Sequence, residues 1–261
     1  MLLAIDAGNT HIVLGVGRVG AEPGDWLAHW RIATQKERTE DELEVLVRGL
    51  FQIGGFSPES LDGVAISNVV PPIASKLERL ASRLCSDPPL IVDHQTDTGI
   101  PILYTRPQDV GPDRIVNAVA AIARYGAPAI VVDYGTATTF DAIDAEGRYL
   151  GGAITPGIGI AVEALFEHAA RLPRIQLVAP ERAIGVDTVG AMRSGILYGY
   201  AGQTDAMVRR FRAELGQEAA VVATGGLAEL LAPLTETRQH LDPWLTLEGL
   251  RLLWRRCRAG E

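Results

Sequence analysis

Apolar residues fall along this chain in two rhythms, short continuous runs and helical stripes. Residues 2–5 (LLAI) and 11–17 (HIVLGVG) are apolar runs separated by DAGN, which predicts two antiparallel strands joined by a tight turn. In RTEDELEVLVRGLF (38–51), Leu43, Leu46, Val47, Leu50 and Phe51 recur at the spacing of one helix face, and Thr39 with Glu42 forms a capping box at its start. The segment between, with Trp26 and Trp30, reads as a loop. GVAISNVV (63–70) follows as a strand, PPIASKLERLASRL (71–84) as a helix entered through proline, and PLIVD (89–93) as another strand. This β-α-β order predicts a sheet covered by helices, with ligands approaching the strand ends and helix N-termini.

The pattern then starts again. VGPDRIVNAVAAIARYG (110–126) reads as a helix with Ile115, Val119 and Ile122 on one face, and APAIVVDYGTATTFDAID (127–144) repeats the opening hairpin. The interval between the two hairpins is close to half the chain, so two related α/β units are expected, 1–109 and 110–261. A turn and strand (145–154), a helix (157–172) and a long helical stretch (187–215) come next. Gly190, Gly195, Gly199 and Gly202 fall inside that stretch. Glycine costs roughly 1 kcal/mol against alanine in a helix interior, so close helix contact, subunit packing or a break is expected there. AVVATGGLAELL (220–231) reads as strand, glycine turn and helix, and TLEGLRLLWRRC (246–257) as a last helix.

Composition narrows the function. A chain of 261 residues with 47% hydrophobic content can bury one large core or two ordinary ones, and a net charge of -8 offers no basic field for a nucleic-acid backbone. No apolar run approaches the roughly 20 residues that span a bilayer, and the first residues lack a basic region and an apolar stretch before a small-residue cleavage site, so a cytoplasmic protein without a membrane partner is expected. Cys85 and Cys257 are far apart with no Cys-x-x-Cys, and the five histidines never form His-x-x-x-His, which argues against a disulfide framework and a local zinc site. The two lysines, Lys36 after Gln and Lys76 after Ser, exclude the Gly-Lys-Ser/Thr of a Walker loop. If ATP is handled, another cradle must hold it.

The duplicated hairpins supply one. A single Asp-x-Gly is an ordinary turn, but here it occurs twice, with Thr10 beside the first and Thr136, Thr138 and Thr139 beside the second. Glycine lets a phosphate approach the backbone, threonine hydroxyls and turn N–H groups donate to its oxygens, and a strand-end carboxylate can hold a hydrated cation. Two such hairpins facing each other would make a nucleotide clamp. The TGG at 224–226 could lie along an adenosine or be a plain helix-entry turn.

DAGNT, DYGTATT and ATGG resemble the phosphate and adenosine motifs of the actin, sugar kinase and Hsp70 superfamily. That resemblance implies two duplicated ribonuclease-H-like (actin-like ATPase) domains with a nucleotide cleft between them. RTEDE, ISNVVPP, GIPILYTRPQDVGPDRIVNAVAA, VVDYGTATTFD, GGAITPGIGI, GYAGQTD, ATGGLA and LTLEGL resemble, in that order and nearly end to end, the bacterial type III pantothenate kinase family. Its most specific part is Gly-x-Asp-Arg-x-x-Asn-Ala-Val at 111–119.

The family resemblance implies ATP-dependent phosphorylation of pantothenate, the first step toward coenzyme A, by a homodimer. It implies an ATP loop of Asp6, Ala7, Gly8, Asn9, Thr10, His11, Ile12 and Val13, with Thr136 also contacting ATP. Asp6 would reach Mg²⁺ through water, and Asp133 would mark a monovalent-cation site for K⁺ or NH₄⁺. Tyr104, Gly111, Pro112, Asp113, Arg114 and Thr188 match the pantothenate-binding positions. Pro112 departs from the pattern, which usually holds a small residue such as alanine there.

Asp113 suits the catalytic base. It lies in the first turn of a predicted helix, where the helix dipole is expected to keep it ionised and weakly basic. A loose phosphoryl-transfer transition state tolerates a weak base, because in-line positioning supplies more of the acceleration. Each residue also has an ordinary reading: Asp113 as a helix cap, Arg114 as an ion-pair partner, Thr188 as an N-cap and Tyr104 as filler. Two rival functions stand beside the kinase, a non-catalytic nucleotide-binding accessory protein and a kinase for another small hydroxyl compound. Asp113, Arg114 and Asn117 argue against the first, and the stretch 104–117 against the second.

Overall fold

The computed structural model describes residues 1–169 and 171–259. In chain order the elements are β1 (Leu2–Ala7), β2 (His11–Gly17), β3 (Ala28–Ala33), α1 (Glu40–Gly54), β4 (Gly63–Asn68), α2 (Ala74–Leu84), β5 (Leu90–Ile91) and α3 (Pro112–Tyr125). They continue with β6 (Ala129–Tyr134), β7 (Ala137–Ile143), β8 (Tyr149–Pro156), α4 (Ile158–His168), α5 (Thr188–Leu215), β9 (Ala220–Thr224), α6 (Ala228–Leu231), β10 (His240–Leu241) and α7 (Leu245–Ala259).

The strands form two five-stranded sheets, ordered β3-β2-β1-β4-β5 and β10-β9-β6-β7-β8. In the first, β1, β2 and β3 make an antiparallel meander, and β4 and then β5 add in parallel on the other side of β1. The second repeats this plan with β6, β7 and β8 as the meander and β9 and β10 as the parallel pair. The duplication is therefore one of topology as well as motif. Asp6 and Asp133 hold the same position, the fifth residue of a six-residue first strand.

The first compact unit comprises residues Met1–Ala120 and the C-terminal segment from Trp244, and the second Ala121–Pro243. This differs from the expected division at 110. The boundary falls within α3, and α7 belongs to the first unit rather than the second. Its apolar stripe, Leu247, Leu250, Leu253 and Trp254, is buried with Leu2, Ala4, Ala65 and Val116. The packing is close: a Cβ on Gly249 would collide with the Val116 carbonyl, and one on Gly63 with the Trp254 ring. The opposite face of the first sheet carries Leu3, Ile5, Val64 and Ile66 against Leu43, Val47 and Phe51 of α1 and Leu77, Leu80 and Leu84 of α2. In the second unit Ile130, Val132, Phe140 and Val221 pack with Ile196, Leu197 and Val208 of α5.

Local chemistry sets the element ends. Both arms of the α1 capping box form, with Thr39 N–H donating to Glu42 Oε2 at 2.8 Å and Glu42 N–H to Thr39 Oγ1 at 3.3 Å. Pro71 and Pro72 start a 3₁₀ turn, Pro71–Ile73, so regular α2 begins three residues later than the pattern suggests. The stretch with Trp30, expected as loop, is strand β3: Trp30 and Ile32 pack inward while His29 and Arg31 are exposed. The helix 187–215 runs unbroken as α5, and a Cβ on Gly195, Gly199 or Gly202 would meet nothing within 4 Å. Those three glycines thus reflect neither a break nor a close contact among the described residues.

Candidate active site

In the first unit the site grows from the C-terminal ends of β1 and β4. Gly8 N–H donates to the His11 carbonyl at 3.0 Å and closes the turn, leaving Asn9, Thr10 and His11 exposed. Thr34, just past β3, fixes that turn from outside: its hydroxyl donates to the Gly8 carbonyl at 2.6 Å and its N–H to the Thr10 carbonyl at 3.0 Å. The loop is thereby preorganised with exposed donors. Ala7 and Ile12 are buried in the core, so neither side chain can face a ligand, whereas Asp6 and Val13 are half-buried. Partial desolvation and the neighbouring Arg31 charge hold the His11 imidazole below its ordinary pKa.

Gly111 to Arg114 approach the same strand ends. Val69 N–H donates to the Ala7 carbonyl at 3.0 Å, and a Cβ on Gly111 would lie 3.6 Å from Val69 Cγ1. That Cβ would also stand 2.5 Å from Asp113 Oδ1, so glycine at 111 leaves the carboxylate its room. Pro112 opens α3, where its missing N–H costs no helix bond, and Asp113 follows in the first turn. Arg114 N–H donates to Asp113 Oδ1 at 2.8 Å. The helix dipole is not the dominant influence on this carboxyl. Burial pushes the Asp113 carboxyl above its ordinary pKa, against the opposing Arg114 N–H and Arg114 charge. Asp113 is a better proton acceptor than an exposed aspartate. Arg114 is 7% exposed, and Asn117, buried behind it, accepts from Thr246 Oγ1 of α7 at 2.8 Å. Tyr104 sits half-buried in the connection between β5 and α3.

In the second unit Asp133 occupies the end of β6. Gly135 N–H donates to the Ala137 carbonyl at 3.1 Å, closing a turn with Thr136 exposed at its tip. Gly157 N–H donates to the Thr136 carbonyl at 3.1 Å, and a Cβ on Gly157 would collide with that oxygen, so the start of α4 is pressed onto the turn. From the other side comes the turn after β9, with Gly225 at φ +90° and no room for a Cβ beside Asp133 Oδ1. Asp133, Thr136, Gly157 and Gly225 therefore form one cluster. Thr188 is the first residue of α5 rather than its cap; Asp187 caps, accepting from Gly190 N–H at 2.7 Å. Thr188 borders a groove of about 700 Å³ lined also by Leu165, Met192, Gly195, Gly199 and Tyr200.

The sequence profile of the type III pantothenate kinase family matches residues 2–210. The chain belongs to the type III pantothenate kinase family. It is 49% identical over 256 residues to the type III pantothenate kinase of Moorella thermoacetica, covering 98% of this chain and 99% of that one. The enzyme of that name from Myxococcus xanthus is 49% identical over 260 residues, covering 100% of both. Among solved structures, an activator of 2-hydroxyisocaproyl-CoA dehydratase from Clostridium difficile, with bound ADPNP, matches with a TM-score of 0.56 at 14% identity, covering 99% of this chain and 95% of that one. That likeness is one of fold. The two sheets of identical plan are ribonuclease-H-like domains of the actin-like ATPase and sugar kinase fold. Members of the family are ATP-dependent kinases, so ATP is the phosphoryl donor.

The two strand-end aspartates sit in different surroundings. Among the described residues no three His, Cys, Asp or Glu side chains gather into a metal cluster. Asp6 therefore stands as a strand-end carboxylate beside an exposed donor loop, a donor set suited to Mg²⁺, which keeps several waters and shares substrate phosphates. Asp133 lies instead against two glycine turns, with Gly135 and Gly225 both close to its Oδ1. No helix of the described residues is long and apolar enough to cross a membrane. Sequence reasoning passed over Thr34, which follows the strand it read as loop, and Ser67 of β4, which pairs in register with Asp6.

Proposed function

We propose that this chain transfers the γ-phosphoryl group of ATP to the terminal hydroxyl of pantothenate, giving 4'-phosphopantothenate and ADP, the first step of coenzyme A synthesis. The observation that carries this reading is Asp113, half-buried in the first turn of α3 beside the ends of β1 and β4 in a chain of this family.

In the proposed reaction Asp113 accepts a hydrogen bond from the pantothenate hydroxyl and aims its oxygen at the γ-phosphorus. The new O–P bond forms as the bond to the ADP bridging oxygen breaks, and the hydroxyl proton passes to the Asp113 carboxylate. Little proton removal is needed early, so orientation matters most, and a raised pKa improves the acceptor for the late transfer. Asp6 to Val13 and Thr136 contact ATP. Arg114 offers the substrate carboxylate a planar donor fork, with Tyr104, Gly111, Pro112 and Thr188 completing the pantothenate positions. Asp6 holds Mg²⁺ through water and Asp133 a monovalent cation, K⁺ or NH₄⁺. When bound, Mg²⁺ offsets charge on the phosphates. The enzyme acts as a cytoplasmic homodimer, in which the open glycine face of α5 receives a second copy.

A coupled ADP-release assay on purified protein tests this, comparing pantothenate with a panel of sugars in potassium and in sodium. Pantothenate-dependent ADP formation is the expected outcome. A panel in which glucose or glycerol outperforms pantothenate overturns it.

A further inference from the structure

Ser67 is 0% exposed, and its hydroxyl has no hydrogen-bond partner among the described residues. A buried hydroxyl left unpaired is costly and calls for a reason. Its position supplies one. Ser67 in β4 is the Cα partner of Asp6 in β1, in parallel register, about 4.8 Å away across the sheet. Leu2 and Ala4 of β1, and Ala65 of β4, point into the layer with α7. Alternation along the strands turns Asp6 and Ser67 toward that same face. Asp6 has two register neighbours, Val13 in β2 and Ser67 in β4, and only Ser67 carries a side-chain donor.

Resting on the assignment of Asp6 to the metal-nucleotide site, we propose that Ser67 is a positioning residue whose hydroxyl donates to the Asp6 carboxylate when ATP and its divalent cation are bound. One carboxylate oxygen is then held by Ser67, and the other faces the hydrated cation. An aspartate at a strand end turns about two side-chain torsions, and a fixed donor on the neighbouring strand selects one orientation. The serine is small enough to leave the α7 layer closely packed, which explains a hydroxyl where the strand pattern calls for an apolar residue.

The test uses Ser67→Ala, with Ser67→Cys as a volume-preserving second variant, and isothermal titration of Mg-ATP alongside thermal unfolding. Both variants are expected to bind Mg-ATP about tenfold more weakly, the scale of a hydrogen bond to a charged group, while Tm stays level or rises because no resting-state bond is lost. The weakening should vanish for ATP with the metal chelated. It should also add nothing on top of Asp6→Asn, because Ser67 acts through that carboxylate. Unchanged Mg-ATP affinity in Ser67→Ala, a lowered Tm with affinity intact, or full additivity with Asp6→Asn each overturns the proposal. If Asp6→Asn itself leaves Mg-ATP affinity unaltered, the failure belongs to the assignment of Asp6.

Discussion

Gly225 lies against Asp133 so closely that any side chain at 225 would collide with Oδ1 of that carboxylate and come within 2.7 Å of the Tyr134 backbone. The turn after β9 and the end of β6 are thus locked together, with Gly225 at φ +90°, a conformation that L side chains rarely adopt. Gly225→Ala is expected to cost about 2–4 kcal/mol of stability from backbone strain plus overpacking. If Asp133 holds the monovalent cation, the variant that still folds should also need more potassium for half-maximal rate. Denaturant unfolding and a potassium titration of the ADP-release rate measure the two effects. Equal potassium dependence in wild type and variant would detach Asp133 from that cation.

Asp113 offers a sharper separation of stability from activity. Because burial raises its carboxyl pKa in the folded chain, its contribution to stability is full at acid pH, below the unfolded pKa, and is lost as pH rises through the folded pKa. At neutral pH the ionised group is therefore a net cost. Asp113→Asn should be as stable as wild type at pH 7, or more so, while kcat falls roughly 10²–10⁴-fold. In the wild type, kcat should climb with pH through a limb lying above the ordinary carboxylate range, and that limb should be missing in the variant. A capping role alone predicts the opposite pair, lower Tm with activity retained.

Periodicity and turn chemistry made much of this legible. The capping box at Thr39 and Glu42, the hairpin glycines Gly8 and Gly135 and the long helical stretch that became α5 are local signals, and each element formed where its residues indicated. β3 was missed although His29, Trp30, Arg31 and Ile32 alternate polar and apolar, because that alternation spans only four residues after a glycine- and proline-containing connection. Two-residue β10 carries no pattern at all. The placement of α7 on the first unit is a long-range fact: Gly249 and Gly63 record the close approach, but a lone glycine does not name its partner. The pKa of Asp113 depended on burial, which helix position cannot supply.

Glu248 and Arg251 of α7 are 2% and 1% exposed and meet at 2.6 Å. Arg251 also donates to the Glu22 carbonyl at 2.8 Å and stacks on the Trp26 ring, 5.1 Å from its centroid, so the pair ties the β2–β3 connection to α7. Removing one partner leaves the other buried and charged. Arg251→Met is expected to lose about 3–5 kcal/mol by denaturant unfolding, whereas replacing both residues with apolar ones should recover most of that loss. A single variant within about 0.5 kcal/mol of wild type would mean that the pair is solvated in solution.

The open face of α5 yields the last prediction. Gly195, Gly199 and Gly202 lie at helix spacing, each exposed, each with nothing within 4 Å of a would-be Cβ, although glycine is disfavoured in a helix interior. Among the described residues, Gly199→Leu places its Cβ in open space and gains helix propensity. If a second copy packs there, the same leucine meets a backbone at close range. Light scattering coupled to size-exclusion chromatography should then show a dimer for wild type and a monomer for Gly199→Leu, with far-ultraviolet circular dichroism unchanged. A variant that stays dimeric would place the subunit contact elsewhere and leave the glycines as the lining of the groove beside Thr188.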